Sequence, residues 1–599
     1  MNTEASVIPR GEYPRPQFLR TDWLCLNGAW EFETDPTDDG VARGLASRKL
    51  SGKITVPFCM ESPLSGVGKT DFMNAVWYRR EVAIPQSWIG RRVLLHIQAV
   101  DYEATVWVNG REAGRHRGGF TPFTVDLGPA EALGSTAVVV VRARDDRTRP
   151  QPRGKQSPKP ENFGCMYTRT TGIWQTVWME PVPETRLLRP RLTPDVANGM
   201  IRLEQPIAGG RDGLVLSAVV KDKSGVVASA RTAVQDLSPR LDLEIPEDRR
   251  KLWSPGEPNL YDLEIELADT EGRVVDQATS YAGLRAITID GASILINGEP
   301  VFQRLVLDQG YYPDGILTAP TDEALARDIK LSMSAGFNGA RLHQKIFEER
   351  FLYHADRLGY LVWGEFPDWG AWADGPDGDH LRMKAEYLTQ WIEELQRDYS
   401  HPAIVGWCPL NETGQDYGDR ITDLDDATRG MFLAAKAMDG TRPVLDTSGY
   451  SHRVPEADVY DSHDYDQNPE SFRARHDALA RGRPFVNSGD KGKKWSIEWQ
   501  GQPYFVSEYG GIWWNPDAKP GEDSWGYGDR PKTLEEFYAR FRGLTDALLD
   551  NPKMFGYCYT QLTDVYQEQN GVYRFDRTPK FDTDRIRKIQ QRRAAIEKD

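Results

Sequence analysis

The stretch IVGWCPLNE (Ile404–Glu412) reads as a short apolar strand that stops at a proline and then delivers two polar side chains, Asn411 and Glu412. A second stretch, YFVSE (Tyr504–Glu508), repeats the pattern and places Glu508 at its end. Short apolar runs of this kind are buried strands when segments of helical period separate them. Further runs stand at Val301–Leu307, Gly339–Leu342, Tyr360–Trp363, Val444–Leu445, Val459–Tyr460 and Met554–Tyr557, which makes eight in all. Between them Leu325, Ile329 and Met333 recur every four residues, and Met383, Tyr387, Leu388, Trp391, Ile392 and Leu395 mark one face of a longer helix. This alternation over about 300 residues predicts a (β/α)8 TIM barrel, whose active site is built just past the strand C-termini. Glu412 and Glu508 then face the mouth from strands four and seven. Two such carboxyl groups suit glycoside hydrolysis, which needs one protonated for the leaving oxygen and one ionised on the opposite face of the sugar. A lone rim glutamate is usually a plain surface acid; the pair carries the reading.

Ahead of the barrel the periodicity is that of strands. Val93–Ile97, Ala104–Val108 and Ala137–Val141 alternate, and Asn109–Gly110 favours a primed hairpin turn. Leu214–Val220, Arg240–Ile245 and Tyr261–Leu267 recur at the spacing of an immunoglobulin-like sandwich. The expected organisation is multidomain β and α/β: a jelly-roll-like β-sandwich over 1–183, an immunoglobulin-like sandwich over 184–283 and the barrel over 284–599. Pro150–Pro160 is a Pro/Lys/Arg-rich loop inside the first of these.

Composition narrows the function classes. With 599 residues, 18 Trp, 24 Tyr, 39% hydrophobic and 27% charged residues, the chain reads as a soluble multidomain protein. A net charge of -15 disfavours nucleic acid and anionic membrane surfaces as partners, and no apolar run reaches the ~18 residues of a membrane span. The five cysteines, Cys25, Cys59, Cys165, Cys408 and Cys558, are odd in number and contain no C-x-x-C pair, which argues against a disulfide framework and a cysteine zinc site. Met1–Arg20 lacks the apolar core of a secretory signal, so a cytoplasmic location is expected. There is no H-E-x-x-H or G-x-S-x-G segment to suggest a metallohydrolase or serine hydrolase.

The text around the two glutamates resembles glycoside hydrolase family 2, the family of β-galactosidases, β-glucuronidases and β-mannosidases. RDYSHPAIVGWCPLNE (Arg397–Glu412) is similar to its acid/base signature and VSEYGG (Val506–Gly511) to its nucleophile strand. Trp77–Arg80, Val100–Gly110, Gly118–Phe123 and Thr171–Glu180 resemble its sugar-binding-type domain, Leu252–Tyr261 its immunoglobulin-like domain, and Asn297–Gly298 the opening of its barrel. The resemblance implies a retaining exo-glycosidase in which Glu508 attacks the anomeric carbon and Glu412 is acid and then base. It implies that Asn411 binds the sugar 2-hydroxyl, that Arg341 keeps Glu508 ionised, and that His343, Asp308, Glu365, His463, Tyr465 and Asp564 line the substrate site, with Asp368, Trp369 and Trp372 as further sugar-facing groups. No cofactor is required; a divalent ion and a homo-oligomer stay open, with no metal-ligand set recognisable.

The departures bear on substrate. A glucuronidase carries Asn-x-Lys, whose Lys holds the uronate carboxylate, where this chain has Glu568-Gln569-Asn570 before Gly571-Val572-Tyr573. A glutamate there repels a carboxylate at close range, and Arg341 or Lys345 are the cations left to compensate. The expectation is therefore a neutral terminal sugar, β-galactosidase by family frequency, with α-L-arabinosidase or another family 2 exo-specificity as alternatives and uronic acids disfavoured. The rival class is a non-catalytic carbohydrate-binding protein.

Overall fold

The computed structural model describes residues 8–370, 383–519 and 521–597. A six-stranded sheet, in the order Gly52–Val56, Gly28–Asp35, Ala75–Ala83, Thr136–Arg144, Glu103–Val108 and Arg111–Arg117, packs on a four-stranded one made of Leu24–Cys25, Val177–Val182, Arg92–Ile97 and Phe123–Pro129. Strand alternation explains the core. In TAVVVVRAR (Thr136–Arg144), Ala137, Val139, Val141 and Ala143 join Trp30, Tyr78, Leu95 and Met179, whereas Val140 joins a small outer cluster with Leu45, Leu50 and Trp77. At the Asn109–Gly110 turn the two φ values are 49° and 76°, the left-handed pair of a primed hairpin.

A second sandwich pairs the sheet Arg191–Asp195, Met200–Glu204, Arg240–Glu244 with the sheet Gly225–Ala233, Leu214–Asp222, Tyr261–Asp269, Val274–Ala282. Ile201, Leu203, Leu216, Leu243, Leu263 and Ile265 fill it, together with Phe18 from the start of the chain. Leu19 pairs there with Thr279 and Arg20 forks onto Asp276, so the segment preceding the first sandwich lies against the second.

The last large sheet is parallel, in the order Ile404–Cys408, Leu361–Glu365, Gly339–Leu342, Gln303–Asp308, Met554–Tyr559, Tyr504–Tyr509, Tyr460–Asp464. These are barrel strands four, three, two, one, eight, seven and six of a TIM barrel. Thr321, Thr422 and Thr533 cap the helices Asp322–Ser334, Asp423–Met438 and Leu534–Leu549 by accepting a backbone N–H in the first turn. The fifth strand is reduced. PVLDTS (443–448) meets strand four through Leu445 N to Trp407 O (2.9 Å) and Ser448 N to Leu410 O (2.8 Å). Toward strand six the closure is made by a side chain, since Asp461 accepts from Ser448 Oγ and from Gly449 N, each at 2.9 Å. The cause is local: Pro443 has no N–H to give, and Asp446 takes the N–H groups of Thr447, Arg453 and Val454, which bends the chain.

Strand four is placed by glycines. A Cβ on Gly406 would lie 2.6 Å from the Trp363 ring, and one on Gly364 would lie 2.6 Å from the Trp407 ring. Each indole thus fills its neighbour's glycine gap, which draws together the strands that carry Glu365 and Glu412. Over the mouth lies the loop 150–167 of the first sandwich: Arg153 N donates to Trp369 O at 2.8 Å, and Trp525 Nε1 and Gln567 Nε2 each donate to Gly164 O at 2.8 Å. Among the described residues no helix is long and apolar enough to cross a membrane.

Candidate active site

Glu508 closes the seventh strand and is buried. Arg341, fully buried on strand two, donates Nη2 to Glu508 Oε1 and to Asn411 Oδ1 at 2.6 Å each, Nε to Glu365 Oε2 at 2.5 Å, and Nη1 to Ser507 O at 2.8 Å. One guanidinium fork therefore fixes groups from strands three, four and seven, as a lysine point charge would not. Tyr465, just past strand six, donates its phenol to Glu508 Oε2 and stacks on Tyr527 with ring centroids 3.4 Å apart. Burial alone would raise the Glu508 pKa, but the charges of His463 and Arg341 outweigh it and hold the carboxyl below its usual range. Burial, and then the Glu508 charge, push the Tyr465 phenol up, so it remains a donor.

Glu412 follows strand four with φ at 50°, a left-handed conformation uncommon for a side-chain-bearing residue. Its N–H is held by Ser448 O at 3.0 Å. Glu412 Oε1 lies 2.6 Å from His463 Nδ1, which is 3.5 Å from Glu508 Oε2, so the imidazole stands between the two carboxylates. Burial lowers the His463 pKa, but Glu508 and Glu412 raise it further, for a net rise. One oxygen or nitrogen from each of Glu412, His463 and Glu508 lies within 4.8 Å of the others. Such a nearest-atom spacing is compatible with the roughly 5–5.5 Å separation of a retaining carboxyl pair. The trio is the one cluster of potential metal ligands among the described residues, and a cation there would occupy both carboxylates.

Behind His463 runs a chain of polar contacts. His463 Nε2 faces Ser448 Oγ at 2.9 Å, Ser448 Oγ donates to Asp461, and Asp461 Oδ1 is 3.2 Å from His452 Nε2, whose Nδ1 is 2.8 Å from Asp446. Burial disfavours the His452 charge, but Asp446 and Asp461 outweigh it and bring its pKa up to about 10. A histidine raised on folding stabilises fully below its unfolded pKa of 6.5, and that contribution is lost as pH rises toward 10. We expect unfolding free energy to fall by on the order of a few kcal/mol across that window. His452→Gln should be less stable near pH 6.5 and lose that slope. Denaturant unfolding at both ends of the window checks this, and parallel pH profiles for the two proteins would contradict it.

The other sequence candidates fall into two groups. Asn411 joins the centre: its Nδ2 is buried without a partner, a donor left for a substrate hydroxyl. His343 Nδ1 lies 2.9 Å from Glu365 Oε1, and burial, with the Lys155 charge next, keeps its pKa well below the ordinary value. Glu365 has both oxygens engaged, by Arg341 and by Gln344 N, and so braces the site. Asp368 accepts from Asn411 N (3.1 Å), Thr413 Oγ1 (2.7 Å) and Gln344 Nε2 (2.6 Å), while Trp369 donates to Asn411 O at 2.9 Å; both hold the turn that presents Glu412. Trp372 lies outside the described residues. Asp308 and Asp564 stand apart, contrary to their expected place in the pocket. Asp308 accepts from Gly310 N, and Asp564 is bound by Gly571 N and Lys580 Nζ. Among the described residues neither carboxylate is hydrogen-bonded to one that touches Glu412 or Glu508, because Asp308 is captured by the backbone of its own loop and Asp564 by Gly571 N together with Lys580 Nζ. The sequence reading passed over Lys155, Tyr167 and Tyr527. The one cue for Lys155 was its place in the Pro/Lys/Arg-rich loop Pro150–Pro160.

Glu568 does not present a bare charge to the sugar. Tyr167 OH donates to its Oε2 and Asn570 Nδ2 to its Oε1 (3.1 Å), while Gln309 donates to Tyr167 OH (3.0 Å) and Gln561 to Asn570 Oδ1 (2.8 Å). Glu568 is thus bound into a ring of phenol and amide groups. Lys155 from the first sandwich also stands close enough for Glu568 to favour its charge.

Known proteins fit this geometry. The model of the glycosyl hydrolases family 2 sugar binding domain matches residues 50–148, and that of glycosyl hydrolases family 2 matches 189–285. A β-galactosidase of Thermoanaerobacter pseudethanolicus is 26% identical over 440 residues, 71% of this chain and 54% of that protein, so the chain spans about half of that relative. A β-glucuronidase of Paenibacillus borealis is 26% identical over 447 residues, 70% of this chain and 72% of that protein. The solved Lactobacillus rhamnosus β-glucuronidase superposes with a TM-score of 0.76 at 21% identity, covering 96% of this chain and 98% of that one. Among the most similar relatives and structures β-glucuronidases predominate, which overturns the expectation of a neutral sugar with uronic acids disfavoured. Glu568 is not an unscreened charge: Tyr167 and Asn570 bind it, and a cation off the barrel strands, Lys155, lies within its electrostatic reach. Two family models matched in chain order, ahead of a barrel whose strand ends gather Arg341, Glu412 and Glu508, leave one assignment: the chain belongs to glycosyl hydrolase family 2.

Proposed function

We propose that the protein is a retaining exo-glycoside hydrolase that removes a terminal β-linked hexuronic acid, in the manner of a β-glucuronidase. The observation that carries the mechanism is the spacing of Glu412 and Glu508, with oxygens within 4.8 Å and Glu508 alone clamped by Arg341 and Tyr465. Glu508 attacks the anomeric carbon while Glu412 gives its proton to the departing oxygen, forming a glycosyl ester. Glu412 then takes a proton from water, which attacks from the face the leaving group vacated, opposite Glu508, releasing the sugar and restoring both carboxyl groups. Asn411 Nδ2 holds the 2-hydroxyl, where a hydrogen bond strengthens as positive charge grows on the ring. The substrate class is supported by the names of the relatives, and the exo mode by the loop 150–167, which lies across the mouth where a continuing chain would run.

The test is a panel of 4-nitrophenyl β-glycosides followed by proton NMR of the first product. Expected are preferred cleavage of the β-glucuronide and initial release of the β-anomer. Initial release of the α-anomer would overturn the retaining mechanism, and inactivity on every glycoside would shift the reading to a carbohydrate-binding protein.

A further inference from the structure

Lys155 belongs to the first sandwich, yet its surroundings are those of the barrel mouth. The residue is 7% exposed, and its Nζ lies 5.3 Å from the ring centroid of Trp369, the indole that also holds Asn411 O. Burial disfavours its charge, but Glu568, Cys165, Glu508 and Glu412 are all near enough to favour it, and the balance lies on the charged side. The backbone fixes this placement: the N–H groups of Gln151, Arg153 and Gly154 bind the carbonyls of Gly370, Trp369 and Pro367. Gly154 itself, at φ 59°, passes so close to Gln344 O that a Cβ there would sit 2.0 Å from it.

What distinguishes Lys155 is that its donors are unused. Arg341 spends its own on Glu365, Ser507, Asn411 and Glu508. Lys345, the other cation expected to compensate Glu568, donates to Gly310 O and Leu317 O at 2.7 Å each and is tied beneath the first-strand loop. No hydrogen bond or salt bridge of Lys155 Nζ occurs among the described residues, although the residue is only 7% exposed. Glu568, the acid that most favours its charge, has both oxygens taken by Tyr167 and Asn570. A buried cation beside an occupied acid is a costly arrangement unless a ligand supplies the missing acceptor.

We propose that Lys155, contributed by the N-terminal sandwich, receives the carboxylate of the bound uronic acid and so sets the sugar specificity of the barrel site. The proposal rests on the reading of the chain as a retaining hexuronide hydrolase. It moves the carboxylate-binding cation from the position of Asn570 to a loop on another part of the chain, which lets Asn570 and Glu568 remain a hydrogen-bonded floor.

The experiment compares full-length wild type, Lys155→Met and Lys155→Arg on 4-nitrophenyl β-D-glucuronide and β-D-glucoside, which differ only at C6. Lys155→Gln replaces the Met variant should that one not fold. Expected is a fall of about a hundredfold or more in kcat/KM for the glucuronide with Met, carried mainly by KM. The glucoside should be unaffected, and Arg should recover most of the loss. Calorimetric binding of D-glucuronate should weaken in parallel in Lys155→Met. Equal losses on both substrates, a glucuronide loss below about fivefold, or Arg no better than Met would each overturn the proposal. A wild type that prefers the glucoside also overturns it while leaving the hydrolase reading intact. A wild type inactive on every glycoside sinks the hydrolase reading, and the glucuronate titration then still decides whether Lys155 binds a carboxylate.

Discussion

Glu508→Ala is expected to lose about 10^5-fold or more in kcat, roughly 7 kcal/mol of barrier, and to regain turnover when a small anion is supplied. The loss follows from geometry. Glu508 is the carboxylate held ionised by Arg341 and aimed by Tyr465, and among the described residues no other carboxylate has both contacts, since Glu365 shares Arg341 but takes Gln344 N as its second donor. Truncation to alanine leaves a small space still faced by Arg341 Nη2 and the Tyr465 phenol, a cationic and a neutral donor that suit azide. Azide entering there attacks the anomeric carbon from the side Glu508 used, with Glu412 still able to protonate the leaving group. The product should therefore be the α-glycosyl azide from a β-glycoside. Arg341 keeps Glu365, Ser507 and Asn411 as partners, so the variant should fold, which a thermal melt verifies. Residual kcat within a hundredfold of wild type, or a β-azide, would place the nucleophile elsewhere.

Much of the barrel was legible because apolar strands in a parallel sheet are continuous runs, and a run needs no partner to be recognised. The fifth strand was readable only as Val444–Leu445, since Pro443 and Asp446 remove it from the regular ladder. Arg341, His463 and Glu508 lie on the strands themselves, so the period of those strands places them. Asp308 and Asp564 show the limit. Both were read as pocket residues from their position just beyond a strand, but a loop carboxylate is captured by whatever N–H its own turn offers, here Gly310 and Gly571. Lys155 and Tyr167 were invisible for a different reason. They meet Trp369 and Glu568 across more than one domain's length of sequence, and no periodicity encodes a contact of that range. The charge of Glu568 alone is therefore a poor guide to the substrate, since Tyr167 binds it and Lys155 stands within its electrostatic reach.

Glu412→Ala should behave in a way no simple structural lesion imitates, because the loss depends on the leaving group. A general acid contributes roughly 10^2- to 10^4-fold where the departing oxygen needs a proton, and little where it leaves readily as an anion. With a 2,4-dinitrophenyl glycoside the first step should be nearly unimpaired and the second slow, since Glu412 is also the base that activates water. The expected signature is a burst of dinitrophenol followed by a low steady state, whereas an alkyl glycoside should be almost inert. Azide should again restore turnover, now by intercepting the glycosyl ester on Glu508 from the face where water attacks, which gives the β-glycosyl azide. The two variants therefore yield opposite azide anomers if Glu508 is the nucleophile and Glu412 the acid and base. His463, 2.6 Å from Glu412 and 3.5 Å from Glu508, makes the comparison sharper. Its imidazole stays beside the nucleophile in Glu412→Ala, so a proton donated from His463 would leave alkyl glycosides cleaved at a substantial rate. Equal slowing on all leaving groups, or the α-azide from this variant, would remove Glu412 from the acid/base role.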